Sequence, residues 1–352
     1  MLSLRAPLYF PILVEKGAGG VQRTERAGFL VLSRDVLSVS GASGVKDEAV
    51  FKGVSTEKKR VFEEIKKRHA EQMKYAVTPD NVIYADGVVL PILPWSRVQK
   101  RGMIGEGGNS DIFLVRDRGS GAEYAVKIPK KANHRGYVQE GYLQRKSQFK
   151  NIVRVAGFLR DGERLLLACE YQRYITLKKK IRRNLLSEKK CVYVAAQLVA
   201  IVRRLHSLGV HHLDIAPDNI FIGSDGHVVL GDFGDARSVS PEGGCADKEA
   251  VRRVYRAADW IGVGRCVYCF LYGEKKFKTY VVDEAQRVLS GPASSSEISF
   301  PRNTGISADA RQFITDLTTP AVSGMLQGDQ IRQRKWFKNI NWERYGDVTK
   351  RS

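Results

Sequence analysis

Asp214 and Asn219 stand in the order D-x-x-x-x-N, and thirteen residues later comes Asp232 of an Asp-Phe-Gly triplet, 232–234. Carboxylate, amide and carboxylate in this order supply what phosphoryl transfer needs. One carboxylate orients a hydroxyl and accepts its proton, and oxygen ligands hold a divalent cation on the phosphates. Further upstream, "YAVK" puts Lys127 on a strand-like run, and Glu140 in "GYVQEGYLQRK" falls on the helical stretch that follows. Such a pair holds a lysine against the α- and β-phosphates of a nucleotide. In "IGEGGNSDIFLV" (104–115), Gly105 and Gly107 occupy a turn between two strand-like runs, 22 residues before Lys127 in the case of Gly105. Without a Cβ in the way, backbone N–H groups approach phosphate oxygens closely. Ser110 takes the place where a third glycine is usual, and the pattern G-x-x-x-x-G-K-[ST] is not met, which disfavours a Walker-type NTPase. Each piece alone has an ordinary reading: a solvated lysine, a glycine hairpin, a pair of loop caps. Their common register along the chain is what carries the chemistry.

These residues need two kinds of scaffold. From Val82 the chain turns to strand-like runs, "VIYADGVVLPIL", "DIFLVRD" and "EYAVKI", separated by turns containing Gly and Asp. Beyond Tyr171 it becomes helical, and "KKCVYVAAQLVAIVRRLHSLG" has apolar residues around most of its circumference, as a buried central helix requires. Short strands return at "NIFIGSDGHVVLGDF", and helices follow. The expected division is an N-terminal extension over 1–94, a sheet-rich lobe over 95–170, a helical lobe over 171–345 and a tail over 346–352. Residues 1 to about 54 are rich in Gly and Ser and lack periodicity. Within the extension, Phe62, Ile65, His69 and Met73 recur at helical spacing after Ser55 and Thr56, so an amphipathic helix is expected near 56–75.

With 352 residues, 43% of them hydrophobic, the chain can bury a large core and is neither disordered nor a disulfide-stapled miniature. Five cysteines form no evenly spaced framework, which favours a reducing compartment. Cys266 and Cys269 make a C-x-x-C inside the apolar run "DWIGVGRCVYCFLYG", which reads as a buried helix rather than a metal or redox site. No run reaches the roughly 18 apolar residues of a membrane span. The start, "MLSLRAPLYFPILVEKGAGG", resembles a degenerate signal peptide only in part, because Pro7 and Pro11 break its apolar stretch. A net charge of +20 attracts anionic surfaces, with nucleic acid, acidic protein and anionic lipid all open. Between Arg173 and Arg204 there are ten Lys or Arg residues and a single acid, Glu188. A solvated helix face is the plain reading of that run.

Over roughly residues 95 to 345 the sequence resembles the eukaryotic protein kinase superfamily. "HHLDIAPDNIF" (211–221) is similar to its catalytic loop, and "RLLLACEYQRY" to its hinge. "EAQRVLSGPASSSEISFP", "SADARQFITDL" and "RKWFKNINWERY" resemble the closing helices of the AGC group. The resemblance implies an α+β, bilobal kinase fold that moves the γ-phosphate of ATP, with Mg²⁺ or Mn²⁺, onto Ser or Thr hydroxyls of a protein substrate. It implies Asp214 as base, with Lys127 and Glu140 as the phosphate clamp and Asn219 and Asp232 as metal ligands. The nucleotide site would comprise Gly105, Gly107, Ser110, Ile112, Ala125, Lys127, Cys169 as gatekeeper, and Glu170, Tyr171 and Gln172 as hinge. Asp259 would anchor the catalytic-loop backbone.

The departures from the family pattern are Leu213 for the usual Arg, Ala216 for the usual Lys, and a short segment from Asp232 to Asp259 without A-P-E, of which Glu249 is a remnant candidate. Leu213 leaves a phosphate on Ser238 or Ser240 with no cation beside the catalytic Asp to bridge to. Thr176 and Cys269 replace carboxylates of basophilic relatives, near the Lys178–Arg183 cluster, so an acidic substrate is expected. "LDIAPDN" is similar to loops of divergent protist kinases and, with the extension, to secreted apicomplexan rhoptry-type kinases. That likeness implies secretion into a host cell, against a cytoplasmic default. The rival readings are a pseudokinase acting as a nucleotide-binding or scaffolding module, a small-molecule kinase of aminoglycoside or choline type, and a nucleic-acid binder.

Overall fold

Side chains on successive residues of a strand face opposite sides of a sheet, and the central strands here carry apolar residues on both. Phe158 and Leu159 are neighbours in one strand, each 1% exposed, yet they belong to different core clusters. A sheet buried on both faces follows.

The computed structural model describes residues 8–14, 25–32, 37–40, 60, 64, 76–77, 82–85, 87–107, 110–130, 134–183, 185–239, 246–274, 298, 300–302, 304–318, 326 and 328–346. Strands β1 (Leu8–Val14), β2 (Glu25–Leu32) and β3 (Leu37–Ser40) form a three-stranded antiparallel sheet of their own. Of the amphipathic helix expected near 56–75, residues 60 and 64 are helical and the rest lies outside the described residues. The main sheet has eight strands: β4 (Ala76–Val77), β5 (Val82–Ala85), β6 (Val88–Pro94), β7 (Val98–Glu106), β8 (Ser110–Asp117), β9 (Glu123–Pro129), β10 (Val155–Asp161) and β11 (Arg164–Glu170). Their spatial order is β4-β5-β6-β10-β11-β9-β8-β7. The pairing of β10 with β6 is parallel, Phe158 opposite Ile92, and the other pairings are antiparallel. Strands β4, β5 and β6, which the sequence reading puts in the extension, thus lie in this sheet. A parallel partner more than 60 residues away leaves no local signature in the sequence.

Helix α1 (His134–Lys146) packs on one face of the sheet through Tyr137 and Val138, against Ile92, Phe158 and Leu167. Gly141 makes the approach close: a Cβ there would sit 2.8 Å from Phe158 Cζ and 3.0 Å from Leu167 Cδ1. The other face buries Val98, Val115, Val126, Leu166 and Ala168.

The helical lobe is built on α3 (Glu188–Ser207), which follows the short strand β12 (Ile175–Thr176) and helix α2 (Leu177–Arg183). Ser187 caps α3 by accepting from the Lys190 N–H, and Leu198, Val199, Ile201, Val202 and Leu205 of that helix are all fully buried. Beside it runs the 27-residue α4 (Ala246–Tyr272). Cys266 and Cys269 lie on α4 at 0% and 4% exposure as free thiols, in keeping with a buried helix. Two small ladders, β12-β14-β15 with β14 (Ile220–Ile222) and β15 (Val228–Leu230), and β13 (Val210–His211) with β16 (Arg237–Ser238), frame the loops between α3 and α4. Helices α5 (Ala308–Thr318), α6 (Gly328–Arg332) and α7 (Glu343–Gly346) close the lobe. Glu188 fastens them, accepting from Trp336 Nε1 at 2.9 Å and from the Ser307 N–H at 2.8 Å. No helix among the described residues is long and apolar enough to cross a membrane.

Gly141→Val should overpack the contact between α1 and the sheet, and overpacking of this kind costs about 1–3 kcal/mol. Denaturant unfolding would show a lowered midpoint. An unchanged midpoint would mean that Phe158 yields freely.

Candidate active site

Lys127 lies on β9, paired with Ile112 on one side and Leu167 on the other, so its side chain is carried by a strand held at both edges. Its Nζ donates to Glu140 Oε1 at 2.7 Å and to Asp232 Oδ1 at 2.8 Å. Lys127 and Glu140 are 7% and 4% exposed, so each charge needs the other. Removing one member of such a buried pair typically costs 3–5 kcal/mol, roughly the stability of a small domain. The three groups come from the sheet, α1 and the loop before β16, and this ion network ties the two lobes together. One ammonium faces two carboxylates, an electrostatic setting that welcomes a further cation.

Opposite stands the loop 212–219. Leu213 and Asp232 are the two non-glycine residues with left-handed backbone among those described, at φ 62° and 59°. Each such residue costs on the order of 1–3 kcal/mol and persists only where its surroundings over-determine it. For Leu213 the restraint is Asp259 of α4, a carboxylate with no exposure. Its Oδ1 accepts from the Leu213 N–H at 2.7 Å, and its Oδ2 from the His212 N–H at 3.1 Å and His206 Nε2 at 2.8 Å. Burial raises the Asp259 carboxyl, but the bond from His206 and the neighbouring His206, His211 and His212 rings outweigh it and hold the group below the usual carboxylate range. Gly262, one turn on, brings α4 against the loop: a Cβ there would meet Ile215 Cβ and O at 2.9 Å.

His212 is fully buried and carries the loop's second restraint. Its Nδ1 accepts from the Asp214 N–H at 3.3 Å, so Nε2 holds the proton and donates to Gly231 O at 3.1 Å. Burial lowers its pKa and keeps the ring neutral. The ring packs edge-on against buried Phe233, 4.8 Å between centroids, which joins loop 212–219 to the Asp-Phe-Gly turn. Asn219 Nδ2 donates to Asp214 O at 2.9 Å and to Asp214 Oδ2 at 2.8 Å. That fixes the Asp214 carboxylate and leaves the amide oxygen of Asn219 as a donor for a hard cation. Asn219 and Asp232 are oxygen donors of the type Mg²⁺ or Mn²⁺ takes.

The nucleotide residues named from the sequence fall around Lys127. Gly105 pairs with Ile112, whose side chain lies 3.4 Å from where a Gly105 Cβ would stand. The Gly107 N–H donates to the Ser110 carbonyl at 2.9 Å, and Ser110 is buried, while 108–109 lie outside the described residues. Ala125 sits in β9 between Leu114 and Cys169. The Cys169 thiol, raised to about 12 by burial, stays protonated. The Glu170 N–H donates to Arg154 O and the Tyr171 N–H to Glu123 O, so the ladder ends at Tyr171, with Gln172 exposed beyond it.

Gln144, 1% exposed, is a site residue that sequence reading did not single out. One turn past Glu140, its Nε2 donates to Val153 O at 2.7 Å and lies 3.7 Å from Cys169 Sγ. The i, i+4 spacing from Glu140 was the available signal. Glu249, expected as a motif remnant, lies on α4 and pairs with Arg252 and Arg256, each at 3.1 Å. Asp218 pairs with Lys178 at 2.7 Å, and the Lys178 N–H donates to Pro217 O, which fastens α2 to the loop.

Two lobes joined by a Lys–Glu–Asp network, with a braced Asp–Asn loop facing them, define a kinase-type phosphotransfer fold. Residues 98–337 match the protein kinase domain, and the chain belongs to that family. It is 27% identical over 277 residues to "Serine/threonine-protein kinase MRCK gamma" of Mus musculus, an alignment covering 70% of this chain and 18% of that protein. To "Rho-associated protein kinase let-502" of Caenorhabditis briggsae it is 27% identical, covering 68% and 22%. To "cAMP-dependent protein kinase, catalytic subunit-like" of Caenorhabditis briggsae it is 23% identical, covering 77% and 72%. The chain thus spans about a fifth of the first two relatives and most of the third.

His211, buried behind the loop, has its pKa lowered to about 3, mainly by desolvation. A folded-state value below the unfolded value of about 6.5 means that the unfolded chain binds the extra proton. The contribution to stability is therefore complete above about pH 6.5 and is lost progressively as the pH falls toward 3. Melting temperature followed from pH 7 to pH 5 should decline, and His211→Phe should flatten the slope. Equal slopes would assign the decline to other groups.

Proposed function

We propose that the chain is a serine/threonine protein kinase that transfers the γ-phosphate of ATP to a protein hydroxyl. The observation that carries this reading is Lys127 bridging Glu140 and Asp232 across the cleft, beside an Asp214 carboxylate held by Asn219. The relatives named above are protein kinases, and the name of the mouse one specifies serine/threonine, which supports Ser and Thr as acceptors.

Asp214 orients the acceptor hydroxyl and takes its proton. The Asn219 amide keeps that carboxylate aimed, and the bracing of 212–214 by Asp259 and His212 limits its freedom before substrate arrives. Lys127 neutralises phosphate charge, with Glu140 keeping the ammonium in place. Asn219 and Asp232 would hold Mg²⁺ or Mn²⁺, which supplies charge neutralisation at the phosphates when bound. Gly105 and Gly107 admit the phosphates under β7 and β8, and the end of the β11 ladder offers backbone groups to the adenine edge. Ala216 removes one electrostatic donor, a loss that typically slows transfer on the order of 10²- to 10³-fold without removing it. The alternative of a nucleotide-binding module without transfer rests on that same alanine. Pairing of Asp218 with Lys178 withdraws an acid from the peptide path, which supports an acidic substrate.

Phosphate incorporation into acidic and basic peptide sets, together with ATP-dependent thermal shift, separates these readings. Asp214→Asn should lower incorporation by on the order of 10²- to 10⁴-fold, the usual contribution of a general base, with ATP affinity near that of the parent. Asp232→Ala should weaken both. A parent chain no faster than Asp214→Asn on every substrate and with either metal would favour the binding module.

A further inference from the structure

The helical lobe holds a cavity of about 620 Å³, formed where the C-terminal end of α3 meets α4, α6 and α7. Five guanidinium groups line it, from Arg203, Arg204, Arg252, Arg256 and Arg332, against two carboxylates, Glu249 and Asp329. The side chains of the two acids are 47% and 66% exposed. Arg252 and Arg256, 17% and 16% exposed, share Glu249 at 3.1 Å each, so five guanidinium groups against two carboxylates leave the lining with a cationic excess. The cations are ordered from several sides: Arg203 and Arg332 share Asp329, at 3.0 and 3.5 Å, and Arg332 also stacks on Trp342, 4.9 Å from its ring. Planar forks fixed in this way suit the oxygens of phosphate groups.

Two buried nitrogen atoms of the lining point to something that belongs there. His211, 2% exposed, lines the cavity with a buried Nδ1 that has no hydrogen-bond partner, and Asp259 Oδ2 at 3.9 Å is too far to serve. Arg204 Nε is likewise buried without a partner. Buried polar atoms are normally satisfied, and exceptions of this kind mark a missing partner. His206, His211 and Asp259 lie close enough together to hold a metal ion. The ring of arginines repels a cation, however, and both Asp259 oxygens already serve the His212 and Leu213 N–H groups.

We infer that this cavity is a binding site for a compact anion carrying several phosphate groups, either free in solution or as the headgroup of a phosphoinositide lipid. The volume exceeds what one phosphate fills, and the cationic excess calls for more than one. The site also gives a local destination to part of the net charge of +20, since Arg203 and Arg204 end the basic run that begins at Arg173. It lies apart from the ATP cleft in its residues, and it touches the catalytic machinery at one point: His206 and His211 flank Asp259, the anchor of loop 212–214.

The test titrates the full chain, at 0.15 M salt and without divalent metal, with inositol hexakisphosphate by calorimetry. In a second arm it is titrated with vesicles containing 5% phosphatidylinositol 4,5-bisphosphate by co-sedimentation. Saturable binding in either arm is expected, weakened at least tenfold by Arg204→Gln and by Arg256→Gln. It should change less than twofold in the double variant Lys189→Gln/Lys190→Gln, which removes two exposed charges at the far end of α3. The arm that binds identifies the source. Should either arginine variant fail to fold, hydrogen exchange on the parent chain serves instead, with protection by the ligand expected at 200–211 and 328–332. No saturable binding in both arms, equal loss in the lysine variant, or protection confined to the ATP cleft would overturn the proposal.

Discussion

The structure depends on one buried carboxylate. Asp259 has no solvent exposure and spends both oxygens on the backbone of 212–213 and on His206. Leu213 at φ 62° would relax in a free loop, and a side chain in that region is tolerated only under restraint. A charged acceptor supplies stronger hydrogen bonds than a neutral one, in a setting of low dielectric where they are stronger still. Everything downstream inherits the geometry: the Asp214 N–H on His212, the Asn219 amide on Asp214, and the position of Phe233 beside the His212 ring.

The second fixed point is the Lys127 network, which joins parts of the chain 105 residues apart. Its partners arrive by different routes. The sheet delivers Lys127, the close packing allowed by Gly141 delivers Glu140, and the left-handed turn at Asp232 delivers the second carboxylate. Gln144 ties the same helix to the Val153 carbonyl, so α1 is secured at two successive turns of one face. Loss of any of these should be felt as a displaced lysine.

Much of this was legible in the chain because the chemistry demands particular residue types at particular spacings. Lys127, Glu140, Asp214, Asn219 and Asp232 could be named from their order, and the structure joins Lys127, Glu140 and Asp232 in one network and Asn219 to Asp214. Asp259 could be named as an anchor for the same reason, and its bonds to the His212 and Leu213 N–H groups match that expectation. What could not be read were contacts between distant segments. The parallel pairing of β6 with β10, the close approaches at Gly141 and Gly262, and the burial of Gln144 depend on partners that local periodicity does not reveal. The arginines behind the loop illustrate the same limit. Arg203 and Arg204 read as the end of a solvated basic run, and only the packing of α4 and α6 against α3 turns them into the lining of a cavity.

On this reading, the strain held at Leu213 by Asp259 keeps Asp214 competent for transfer. Asp259→Asn tests it, because the amide keeps the shape but offers a single acceptor and turns an N–H toward the backbone donors of 212–213. The measurement is phosphate incorporation from labelled ATP by parent and variant side by side, with nucleotide affinity recorded on the same samples. Transfer by the parent is expected, with a loss on the order of 10²-fold or more in the variant and ATP affinity within about threefold, since Asp259 bonds to the loop backbone and His206 rather than to the nucleotide residues. Transfer by Asp259→Asn at the parent's rate would contradict it.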